Sequence, residues 1–136
     1  MYTVPFTDGS GDANMMNGFL QAKDTDPLTV VVTLPSSMSG AYDVYVYCYG
    51  NIDVSTRTYR YTIGSTIHDV SQTGHSLITF PGHSLAPASG TSSGTYIVFQ
   101  NVTGPSFTLT ANPLTSTEAV LRAPVNGIQI VYPAGS

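Results

Sequence analysis

The run Tyr42-Asp43-Val44-Tyr45-Val46-Tyr47-Cys48-Tyr49 constrains the fold more than any other part of the chain. In an extended strand successive side chains point to opposite faces, so one face carries Tyr42, Val44, Val46 and Cys48 and the other Asp43, Tyr45, Tyr47 and Tyr49. The first set is built for a core. The second aligns three phenol rings spaced about 7 Å apart along the pleat. Such a row serves either as a platform for a flat, weakly polar ligand such as a sugar chain or as a surface that another piece of protein covers.

Similar short runs, alternating or rich in β-branched residues, recur along the chain between clusters of Gly, Pro, Asn and Ser, while helical periodicity is nearly absent. This pattern predicts an all-β fold, an antiparallel two-sheet β-sandwich. Strands are expected at Met16–Ala22, Leu28–Leu34, Tyr42–Tyr49, Arg57–Ile63, Ser76–Phe80, Thr95–Asn101, Ser106–Ala111 and Gly127–Tyr132. The segment from His83 to Gly94, rich in small and polar residues, reads as a surface loop. Thr103-Gly104-Pro105 reads as a turn between strands of hairpin-like spacing. In the fourth strand Tyr59, Tyr61 and Ile63 form the apolar set, which turns Thr58, Arg60 and Thr62 outward. A hairpin with Tyr42–Tyr49 would then set Arg60 opposite Tyr45 or Tyr47.

The 136 residues fit one domain, residues 1–136, able to remove roughly two-thirds of its extended-chain surface from water. Only 9% of residues are charged and the net charge is −4, against about 25% charged in ordinary soluble domains; hydroxyls, amides and phenols supply the polarity instead. Four Lys and Arg residues in total leave little to neutralise phosphates, which argues against nucleic acids and anionic membranes as partners. No run of about 20 apolar residues is present to span a bilayer as a helix. Cys48, the lone cysteine, sits on the apolar face of its strand and reads as a buried thiol.

Other constellations are weaker. Asp8, Asp12 and Asn14 fall in a segment, Asp8-Gly9-Ser10-Gly11-Asp12-Ala13-Asn14, with oxygen-bearing side chains at alternate positions. It echoes the start of a calcium loop but lacks that loop's Gly and its closing Glu; a polar turn and a structural calcium site are the two readings. His68, His75 and His83 have irregular spacing and read as exposed loop histidines. Gly90-Thr91-Ser92-Ser93-Gly94 matches a nucleophile elbow in letters, but no strand-to-helix context surrounds it. Glu118 is the sole glutamate, so paired carboxylates for glycoside hydrolysis are not indicated.

Five segments together resemble a secreted bacterial β-sandwich module: Gly11-Asp12-Ala13-Asn14-Met15-Met16-Asn17-Gly18-Phe19-Leu20, the Tyr42–Tyr47 strand, Tyr61-Thr62-Ile63-Gly64, Phe107-Thr108-Leu109-Thr110 and Arg122-Ala123-Pro124-Val125-Asn126-Gly127-Ile128-Gln129-Ile130-Val131. The resemblance, from about Gly11 onward, is to the galactose-binding-like jelly rolls, which include carbohydrate-binding modules of polysaccharide-active enzymes. It implies jelly-roll topology and a non-catalytic role, with the module tethering a catalytic domain to a polysaccharide or oligosaccharide outside the cell. Relatives of this kind start with further strand-forming sequence, so an N-terminal strand present in them is expected to be lacking here. They also use tryptophan platforms, and this chain has no Trp.

The expected carbohydrate-binding residues are therefore Asp43, Tyr45, Tyr47, Tyr49 and Arg60, with Arg122 and Asn126 at loop ends. Asp8, Asp12 and Asn14 are the candidate ion ligands, and no cofactor is required. The competing expectation is a structural or adhesive domain whose tyrosine face packs on another domain or on a second copy.

Overall fold

The computed structural model describes residues 2–3, 18–23, 26–36, 40–49, 56–73, 85, 91–116 and 122–132. Asp8, Asp12, Asn14, His75, His83, Glu118 and the expected strand Ser76–Phe80 lie outside them. The described chain is all-β. Its strands are β1 (Tyr2–Thr3), β2 (Gly18–Lys23), β3 (Leu28–Thr33), β4 (Tyr42–Tyr47), β5 (Thr56–Ile63), β6 (Thr66–Thr73), β7 (Thr91–Ser93), β8 (Tyr96–Val102), β9 (Ser106–Ser116), β10 (Arg122–Val125) and β11 (Gly127–Val131).

One layer is a five-stranded sheet in the order β3-β9-β5-β6-β7. Facing it are a three-stranded sheet, β11-β4-β8, and a second set, β1-β2-β10. Asn126 alone separates β10 from β11, so a single extended segment bonds first to β2 and then to β4. The ladders are antiparallel apart from the β6–β7 pair, which is parallel.

Between the layers lies one core. Tyr42, Val44, Val46 and Cys48 enter it from one side and Tyr59, Tyr61, Val70, Leu109 and Ala111 from the other. The alternation of β4 and β5 is thus realised in both strands, with β4 buried at every second residue from Tyr42 and β5 at every second residue from Arg57.

The expected hairpin between these two strands does not form. β4 pairs with β8 and β11, whereas β5 pairs with β6 and β9. The apolar faces of β4 and β5 look at each other across the interior, which buries both sets of rings and excludes the side-by-side arrangement. Likewise, Thr103-Gly104-Pro105 carries the chain from β8 in one sheet to β9 in the other rather than closing a hairpin. Gly104 (φ 102°) makes this reversal, and its carbonyl accepts a hydrogen bond from the Tyr42 hydroxyl at 3.1 Å.

Two elements were hidden in the sequence by their inward polar residues and prolines. β6 turns His68, Val70 and Gln72 inward and leaves Ile67 half exposed, the reverse of a simple apolar pattern. It follows β5 through Gly64-Ser65, with Gly64 at φ 60° in the first position of a two-residue turn where a side chain would be strained. β10 contains Pro124, tolerated because among the described residues β10 has a ladder partner only in β2. β9 continues past Pro113, where the ladder with β3 has ended at Ala111 and a register shift interrupts the ladder with β5. The expected loop from His83 to Gly94 lies outside the described residues except for Leu85 and β7 with the residue after it; residues 91–93 there form a strand instead.

Candidate functional site

The outer face of the β11-β4-β8 sheet is assembled by register. Tyr45 stands opposite Val98 on β8 and Gln129 on β11, and Tyr47 opposite Tyr96 and Gly127. Directly opposed residues share a face, so Tyr45, Tyr47 and Tyr96 form one group with Val98 and Gln129 beside them. All three tyrosines are half-buried. The Tyr45 and Tyr96 rings stack with centroids 5.9 Å apart and planes 13° from parallel; Tyr47 and Tyr96 lie 5.7 Å apart and tilted by 36°.

The Tyr47 ring lies beside a glycine. At Gly127 a Cβ would sit 3.9 Å from Tyr47 Cδ2, so the ring lies over the bare backbone of β11, as aromatic side chains do opposite strand glycines. From there the Tyr47 hydroxyl donates to Gln129 Oε1 at 3.0 Å. The result is a surface of three mutually braced phenol rings edged by an amide. Ring packing of this kind adds about 0.5–1.5 kcal/mol per pair beyond area burial and holds the rings in place.

Tyr49 departs from expectation. The strand ends at Tyr47, and Tyr49 is buried (7% exposed). Its hydroxyl pKa is pushed up to about 12 by loss of water. Its place in the aromatic group is taken by Tyr96, which comes from a neighbouring strand 47 residues after Tyr49 in the numbering. Sequence alternation along one strand could not reveal this partner, because it follows from the β4–β8 register.

Asn126 is drawn into the same correction. Its Oδ1 accepts the Tyr49 backbone N–H at 2.5 Å, its Nδ2 donates to the Tyr49 carbonyl at 3.1 Å, and its own N–H donates to the Tyr47 carbonyl at 2.7 Å. The side chain extends the ladder by mimicking a backbone unit between β10 and β11. Arg122 lies in β10, with Lys23 of β2 as its register partner.

Arg60 stands on the opposite layer. Its guanidinium forms a bidentate pair with Asp69, its cross-strand partner on β6, through Nε–Oδ1 at 2.8 Å and Nη2–Oδ2 at 3.0 Å. Hydrogen bonding and charge from Asp69 raise the Arg60 pKa. The predicted contact of Arg60 with Tyr45 or Tyr47 is therefore replaced by an ion pair on the outside of the other sheet.

Asp43 remains on the tyrosine side. Its Oδ1 accepts the Asn101 N–H at 3.1 Å, at the point where the β4–β8 register shifts between Tyr42 and Val44. Asn101 has φ 56°, a left-handed conformation that Asn tolerates better than most residues. The bulge breaks the alternation of β8 just beyond Phe99.

A cleft of about 460 Å³ opens at this end of the sandwich. Phe99 and Phe107, both buried, lie beneath it, and Ile63 and Val102 add apolar lining. The β5–β6 turn at Gly64-Ser65, the bulge at Gln100-Asn101 and the first residues of β9 form its walls. No local pattern marks it, because its parts come from separate stretches, 63–66, 99–103 and 106–108.

His68 stands behind Phe99, the two rings meeting edge to face at 4.7 Å. It is buried (6% exposed) rather than an exposed loop residue, and its Nδ1 has no hydrogen-bond partner among the described residues. Burial lowers its pKa below the ordinary 6.5, outweighing the opposing pull of Asp69. Because the folded-state value lies below the unfolded one, the stability associated with a neutral His68 is present above the ordinary value and is lost as pH falls below it. Thermal unfolding followed between pH ~7 and ~5 is expected to show this loss in the parent and a flatter profile in His68→Leu; parallel profiles would contradict the assignment.

Comparison with family models, with curated proteins and with solved structures finds no match to this chain.

Proposed function

We propose that the domain is a non-catalytic carbohydrate-binding module whose contact surface is the Tyr45, Tyr47 and Tyr96 face. The observation that carries this reading is the braced ring group with Gln129 and Asp43 along its edges. Pyranose units present apolar C–H faces and equatorial hydroxyls; phenol rings match the former, and amide and carboxylate groups the latter. The low charge of the chain fits a neutral ligand. The two-layer architecture and the segments resembling galactose-binding-like jelly rolls support jelly-roll topology and an extracellular, bacterial setting. There the module would hold a linked catalytic domain near a polysaccharide and so raise its effective substrate concentration.

Affinity electrophoresis through gels containing xylan, mixed-linkage β-glucan, galactan or mannan tests the reading. Retardation is expected in at least one, and Tyr47→Ala and Tyr96→Ala should each weaken it about tenfold, the equivalent of about 1.4 kcal/mol. Unretarded migration in all four, together with a concentration-dependent dimer that these substitutions dissociate, would replace sugar binding with docking of a second copy on the same rings.

A further inference from the structure

We infer that the cleft at the bulged end of the β4–β8 ladder is a second binding site, one that takes a single neutral sugar unit. The choice of ligand class rests on the carbohydrate reading of the tyrosine face; the existence of the site rests on the cleft itself.

The lining of the cleft determines what it can hold. No charged side chain lines it among the described residues, so an anion or cation would find no countercharge. Its apolar lining comes from Ile63 and Val102, with the largely buried Phe99 and Phe107 beneath, and Ser65, Thr66, Ser106 and Thr108 bring hydroxyl-bearing residues to it. Gln100 and Asn101 add amides that can both donate and accept. Small-molecule sites combine such an apolar base with a few convergent polar groups, in clefts of about 300–1,000 Å³. A pyranose has one apolar face and a ring of hydroxyls that each donate and accept, which is the complement of this lining.

The backbone around the cleft also departs from regular structure. Asn101 is the one non-glycine residue at positive φ among the described residues, and it falls in the bulge. Bulges redirect side chains and gather beside functional sites, and non-glycine residues at positive φ are uncommon. Here the bulge lets Gln100 and Asn101 both border the cleft, and the Asp43 carboxylate holds it by accepting the Asn101 N–H. Asp43 belongs to the tyrosine face through its strand, so the cleft and the platform adjoin at this residue. A chain lying over Tyr47 and Tyr45 would reach the cleft with its terminal unit.

Proton–nitrogen correlation spectra of the intact chain, titrated with D-glucose, D-galactose, D-mannose and L-arabinose, test this directly. At least one sugar is expected to shift the amides of Ser65, Asn101, Thr103 and Ser106 while leaving those of Tyr45, Tyr47 and Tyr96 in place. The exposed-residue variants Gln100→Ala and Ser106→Ala should each weaken that sugar roughly fivefold, as loss of one hydrogen bond does, and Tyr47→Ala should not. If none of the four sugars moves the cleft amides, or if shifts appear on the tyrosine face alone, the second site is overturned. The carbohydrate reading of the platform fails separately, when polysaccharide retardation is absent although a monosaccharide still shifts the cleft.

Discussion

Replacing Tyr61 with alanine is expected to lower the free energy of unfolding by about 3–5 kcal/mol, the range for deleting a large aromatic side chain from a packed interior. Tyr61 is fully buried and crosses from the five-stranded layer to the facing one. Its hydroxyl donates to the Pro124 carbonyl of β10 at 2.5 Å, and it packs against Tyr59 at a ring separation of 6.3 Å. It shares the core with Cys48, whose thiol pKa is raised to about 12 by burial. Tyr61→Phe separates these contributions. It keeps the ring and strands the Pro124 carbonyl, which should cost about 1–3 kcal/mol. Urea denaturation of the two variants measures both values; a loss under about 1 kcal/mol for the alanine form would mean that the two layers do not meet at this residue.

The second large effect is expected at Asn126. Changing it to aspartate preserves the acceptor for the Tyr49 N–H but turns the Nδ2 donor into an oxygen aimed at the Tyr49 carbonyl. An unsatisfied buried group costs about 1–3 kcal/mol and a carboxylate facing a carbonyl adds repulsion, so a loss of about 2–4 kcal/mol relative to the parent follows. Protonation restores a donor at that position, and the deficit should narrow as pH falls toward about 4. Thermal scans of parent and variant at neutral and acid pH check the prediction. A deficit independent of pH would show that the side chain does not clasp Tyr49 in the way described.

These residues also mark what could be read from the sequence. The inward set of β4, the inward set of β5 and the closing strand Gly127–Val131 are legible because each presents simple alternation with aliphatic or aromatic residues on one side. β6 is not, because its inward positions include His68 and Gln72, whose burial is made tolerable by contacts from elsewhere: the Phe99 ring, and the Tyr59 hydroxyl donating to Gln72 at 2.8 Å. The candidate site was legible in two of its three rings. Tyr45 and Tyr47 follow from periodicity, Tyr96 only from register. Tyr49 fails because alternation says which way a residue points within a strand and nothing about where the strand stops. Arg60 was assigned the outward direction it has, but on the wrong layer, since local patterning does not say which strands are neighbours.

The segment from residue 122 to 131 bonds to β2 before Asn126 and to β4 after it, and its contact with Tyr49 spans 77 residues of chain. Neither of those ladders can be completed from local sequence. Loop closure over such separations costs entropy before it returns any contact energy, so the docking of this segment is expected to slow folding. Until it docks, one flank of β4 has exposed amide and carbonyl groups, and the nascent molecule is at that stage most open to pairing with a neighbouring chain.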